Sequence, residues 1–250
     1  MSCIRWGASF EYALDLYVFD RKLRLLLLDA VERIEVSLRT QWAYHLAHQY
    51  GSHAYLEANH FKDPVKYAKT LDGLSNEVDR SDETFIRHYR ETYSDPILPP
   101  IWAVCEILTL GQLSRWFENL AKPADRQAIV RIYRLDEKVL TSFFHHLSVV
   151  RNLCAHHSRL WNRRFVFTLT IPRHPKGLSP YFNQRQPRNL YNTLVLIRYL
   201  LAIISPDSQW ENRLISLFEE HHAAKPSAMG FPDNWRDMDI WHDDQWKLPG

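Results

Sequence analysis

The sequence predicts an all-α protein, and three observations carry that prediction. Apolar residues recur at three- and four-residue intervals through several long windows. Only 7 glycines stand among 250 residues, which leaves few flexible connectors. No internal repeat or glycine-rich phosphate loop occurs, and one stretch alone, 168–187, reads as extended. A composition of 46% hydrophobic and 24% charged residues belongs to an ordinary globular chain, long enough to bury a core.

From about 14 to 48 the stripe Leu16, Leu23, Leu27, Ala30, Ile34 and Leu38 marks one side of a long helix. Arg24, Glu32, Glu35 and Arg39 fall on its other side, and Gly51-Ser52 ends it. Shorter helices are predicted over 64–79 and 82–93, the second with Ser81 as N-cap. SDPILPP (94–100) is a loop, because each proline pushes its predecessor out of helical geometry. Helices follow over 101–120, 124–133 and 136–162. The Pro-rich connection 168–187 has room for one short strand, and further helices fit 188–204 and 208–221. Residues 1–222 are expected to form a single helical domain. The tail, 223–250, with Trp235, Trp241 and Trp246 among prolines and aspartates, is expected to strap onto it.

A net charge of +2 gives no global argument for nucleic acid or membrane, so a basic site would have to be local. Three scattered cysteines, Cys3, Cys105 and Cys154, form neither a disulfide framework nor a zinc pair. The opening MSCIRWGASFEY is too polar for a secretory leader. The most apolar run, LVLIRYLLAII (194–204), is too short to span a bilayer and carries Arg198 at its middle. These features predict a cytoplasmic protein with no membrane partner.

VVRNLCAHHSRLWNRR (149–164) is the stretch that invites chemistry. Continued as a helix, it puts Leu147, Val150, Cys154 and Trp161 on a core face. His145, Asn152, His156, Arg159 and Arg163 then share the opposite face, with Asn152 and His156 as i,i+4 neighbours. Histidine exchanges a proton near neutrality, and arginine offers phosphate oxygens a permanently charged planar fork. An amide beside them can orient either without adding charge. Such a set could promote attack of an RNA 2′-hydroxyl on the adjacent phosphate. A solvated polar face is the competing reading, since Arg39 and His45 repeat a similar spacing elsewhere.

RNLCAHHSRLWNR (151–163) resembles the signature of bacterial abortive-infection (Abi) proteins within the HEPN superfamily of helical ribonucleases. Arg151, Asn152 and His156 match that superfamily's Arg, polar residue and later His. LYVFDRKLRLLLLDAVERIEVSLRT (16–40), LPPIWAVCEILTLGQLSRW (98–116), LYNTLVLIRYLLAIISP (190–206) and MGFPDNW (229–235) resemble the family in the same order. The resemblance implies a HEPN-type helical bundle acting as a metal-independent, cofactor-free endoribonuclease in phage defence or as a toxin. Arg151, Asn152 and His156 would be catalytic, with Glu35, Arg39 and His157 in support. It further implies a homodimer and an RNA or protein antitoxin. Family members carry more chain upstream of FDRKLR, so a shortened N-terminal part is expected here. The alternative is a helical module that binds RNA or a protein partner without turnover.

Around this core the secondary candidates are weaker. Arg159, Arg163 and Arg164 would grip RNA. The later strip PRHPK (172–176) and QRQPR (184–188), with Tyr181 and Phe182 between, reads equally as RNA contact or solvated loop. Paired histidines 145–146, 156–157 and 221–222 point apart on a helix and make poor joint metal ligands. Glu106 is expected to be structural, and Trp102 and Trp116 are expected in the core.

Overall fold

The computed structural model describes residues 9–242 and 246–249, and Cys3 lies outside them. The fold is all-α: nine α-helices lie among the described residues, with no named strand and only an isolated bridge between Phe61 and Leu120. The short strand expected within 168–187 is absent. That segment instead passes through bends and one 3-10 turn at Ser179–Tyr181, as its prolines and turn residues favour.

The helices are α1 (Phe10–Tyr50), α2 (Pro64–Arg80), α3 (Thr84–Thr92), α4 (Ile101–Ile107), α5 (Leu110–Asn119), α6 (Pro123–Val130), α7 (Glu137–Ala155), α8 (Tyr191–Ile204) and α9 (Trp210–Glu220). Asp63 caps α2, its carboxylate accepting from the Val65 and Lys66 amides, with Pro64 in the first turn. Ser81 closes α2 rather than opening α3; its hydroxyl accepts only from the Glu83 amide, and Glu83 is the N-cap residue. The single helix expected over 101–120 is two, because Thr109 and Gln112 form a capping box that restarts the chain after Leu108.

Two compact units divide the chain, one of residues up to Ile34 together with Val149 onward, the other of Glu35–Ser148. In the first, Tyr191–Leu201 of α8 is buried all round, the property of a central helix. The N-terminal part of α1 and the tail supply its aromatic packing. Phe19 meets Phe218 at 5.3 Å, Tyr191 meets Phe231 at 4.7 Å, and Phe231 meets Trp235 at 5.0 Å. Trp235, Trp241 and Trp246 are all buried. Arg198 is also buried, 3.5 Å from the Glu211 carboxylate, donating to the Ile240 carbonyl and lying over the Trp246 ring.

The second unit is built on Trp42, Tyr55, Phe61, Tyr67 and Trp116, whose rings meet tilted, edge-on or stacked. Trp116 is core as expected, whereas Trp102 is 56% exposed. His45, the look-alike of the motif histidine, is tied to Asp125 at 2.9 Å, and Tyr50 donates to the same carboxylate. Its role is structural, joining α1 to α6.

Candidate active site

α7 brings Arg151 and Asn152 to its last turn. Val150 and Cys154 point into the core there, as their spacing predicts. Burial pushes the Cys154 thiol up to about 12, so it stays protonated and is no nucleophile. The helix stops at Ala155, seven residues short of the expected end. The cause is His157, which adopts φ 55, the left-handed conformation usual for glycine at this position. The Ser158 amide donates back to the Leu153 carbonyl at 2.9 Å and the His157 amide to Cys154 at 3.1 Å. Those two bonds make a Schellman turn that satisfies the last carbonyls of the helix.

His156 therefore stands at the helix end, its amide still bonded to the Asn152 carbonyl at 2.9 Å. Its side chain is exposed, as are those of Asn152 and His157. Arg151 is half-buried, with Nη1 3.5 Å from the Asn152 amide oxygen. The structure thus brings Arg151 and Asn152 into contact and places His156 on the turn that follows. Arg159, Arg163 and Trp161 lie past the corner and do not share a helical face with them. The Arg163 guanidinium is turned back onto the Arg159 carbonyl at 2.7 Å. Arg159 and Arg164 are exposed. No carboxylate occurs within 149–164, so the segment is uniformly cationic.

A carboxylate from α1 holds the corner. Asp20 is buried, and its Oδ1 accepts from the amides of Leu160 at 2.8 Å and Trp161 at 2.6 Å. Its Oδ2 is met by the Arg24 guanidinium, also buried and one helical turn further on. Sequence reasoning passed over Asp20 and set Arg24 with the polar residues of the helix. The signal available was an i,i+4 carboxylate–arginine pair inside FDRKLR, next to the start of an apolar stripe.

Glu35 and Arg39 lie in the other unit. Their carboxylate and guanidinium meet at 2.5 Å, and Arg39 also donates to the Leu108 carbonyl at 2.7 Å. The pair is largely buried rather than a solvent-facing surface pair, and Glu106, itself mostly exposed, approaches Arg39 at 3.6 Å. Of the strip beyond the motif, Phe182 is buried, which removes it as a stacking platform, and the Tyr181 hydroxyl donates to Asp239 at 2.5 Å. Among the described residues no three His, Cys, Asp or Glu side chains cluster as a metal-ion site, and no helix is long and apolar enough to cross a membrane.

These features define a helical protein that presents an Arg-Asn pair and a histidine at one capped helix end. The family model for the Abi-like proteins matches residues 3–162, and the chain belongs to that family. The match takes in the 16–40 and 98–116 stretches and all but the last residue of 151–163, while 190–206 and 229–235 lie beyond it. No curated protein and no solved structure matches the chain.

Proposed function

We propose that the protein is an endoribonuclease of HEPN type that acts in phage defence. The observation that carries this reading is an exposed His156 on the turn directly after the Arg151–Asn152 pair, in a segment without acidic residues. In the proposed reaction the 2′-hydroxyl attacks the adjacent phosphorus, a new O2′–P bond forms and the P–O5′ bond breaks. His156 exchanges the protons, taking one from the 2′-hydroxyl or giving one to the departing 5′-oxygen. Arg151 binds the phosphate oxygens and offsets their growing charge; Asn152 orients the phosphate or the imidazole. The products are a 2′,3′-cyclic phosphate and a 5′-hydroxyl, and the chemistry requires no metal.

One Arg-His set supplies few groups, so a two-fold dimer that pools two motif segments belongs to the proposal. Arg159 and Arg164 would grip the flanking RNA backbone. The test is cleavage of RNA in excess EDTA with mapped product ends. The expected outcome is cutting by wild type with cyclic-phosphate ends, and loss of at least about a hundredfold in rate for His156→Ala. Equal cutting by His156→Ala defeats the assignment. RNA binding that Arg151→Ala weakens, with no cleavage by either protein, establishes the non-catalytic module instead.

A further inference from the structure

α2 and α5 pack side by side and leave a cleft of about 480 Å³ along their outer edge. Lys66, Lys69 and Gly73 recur on one face of α2, and Gln112, Arg115 and Glu118 on one face of α5. His145 of α7 completes the wall. Polar ties between the helices engage residues of this wall. Gln112 Nε2 donates to Glu77 Oε1 at 3.1 Å, and Lys66 Nζ meets Glu118 Oε1 at 3.5 Å. Lys69 and Arg115 are left over. Both are exposed, and among the described residues neither has a hydrogen-bond or ion-pair partner.

The lining therefore holds three permanent cations against one carboxylate, and that carboxylate already has Lys66. Concave walls concentrate the field of such a set. Gly73 adds an independent observation. A Cβ at this position would meet nothing within 4 Å, so no packing constraint demands a glycine there. A glycine inside a helix costs about 1 kcal/mol relative to alanine, and its effect here is to leave the cleft floor bare.

We propose that this cleft binds a nucleotide through its phosphate. The Arg115 fork and the Lys69 ammonium take the phosphate oxygens, and the bare face at Gly73 admits the sugar and base. The volume lies within the range of small-ligand sites, roughly 300 to 1,000 Å³. The phosphate can belong to a free mononucleotide or to an RNA end, and the proposal does not rest on the Arg151–His156 reading.

Calorimetric titration of the full chain with AMP, with a 5′-phosphorylated RNA trinucleotide and with adenosine tests it. Wild type is expected to bind at least one phosphorylated probe and not adenosine. Lys69→Gln/Arg115→Gln and, separately, Gly73→Leu should each weaken that binding by about tenfold or more, a change of about 1.4 kcal/mol. The substituted side chains face solvent or open space, so neither variant should melt below wild type, and replacing the helical glycine should raise the midpoint slightly. Binding of AMP identifies a free nucleotide as the ligand; binding of the trinucleotide alone identifies RNA. Failure of wild type to bind either probe at millimolar concentration overturns the proposal. So does unchanged affinity in the Lys69/Arg115 variant. Unchanged affinity in Gly73→Leu would reduce the cleft to diffuse charge attraction and overturn it equally.

Discussion

At the scale of single residues, the corner after α7 depends on Asp20. One carboxylate satisfies two backbone amides and a buried guanidinium, and each of the three loses its partner if the charge is removed. Breaking a buried ion pair from one side typically costs about 3 kcal/mol or more, because the surviving charge stays desolvated. Asp20→Ala should accordingly lower unfolding stability by about 3 kcal/mol, measured in urea, with Arg24→Met in the same chain restoring part of the loss. An additive double variant would show that Asp20 and Arg24 act separately. Neither side chain was identifiable as buried from its type. Periodicity places a charged residue on the polar side of a helix, and only a partner elsewhere in the chain reverses that.

The helices themselves were largely legible, and their ends were not. Apolar spacing sets where α1, α2, α8 and α9 lie to within a few residues, because tertiary burial rewards that spacing directly. Termination depends on a single backbone torsion, and at α7 a histidine takes the conformation that sequence reading assigns to glycine. Likewise the break between α4 and α5 lies in a Thr109–Gln112 cap inside an otherwise continuous apolar run. The corner at His157 makes a specific prediction. His157→Val should destabilise by about 1 to 2 kcal/mol, since a β-branched residue resists the left-handed region. His157→Gly should change stability by less than about 1 kcal/mol, relief of torsion being offset by a freer unfolded chain. Equal effects of the two in thermal melting would deny the Schellman turn. The motif was readable as residue types; its geometry was not, because the expected common face of His156, Arg159 and Arg163 required a helix that in fact stops at Ala155.

Across the whole molecule, buried histidine and paired carboxylate together shape the response to acid. Burial holds His146 down to about 4, against 6.5 for the free side chain. Between those values the unfolded chain takes up a proton that the folded chain refuses. Stability therefore falls as pH drops from about 6.5 to about 4 and levels off for this group below that, a total of about 3 kcal/mol. Asp15, held below its usual range first by the hydrogen bond to His221, adds a loss that begins near pH 3.8 and deepens as the folded carboxyl protonates. Urea midpoints taken from pH 7 to below pH 3.8 should show this slope. His146→Gln, which keeps a hydrogen-bonding side chain without a titrating ring, should flatten the upper part of it. A slope unchanged in that variant would assign the acid loss elsewhere.

The absence of any acidic side chain along 149–164 bears on how two copies could meet. In the proposed dimer the facing motif segments carry like charge, since each holds four arginines and no carboxylate. Such a pair resists closing in plain buffer and welcomes a polyanion between its halves. Assembly and RNA capture would then be one linked equilibrium, with the nucleic acid serving as the counterion that lets the protomers approach.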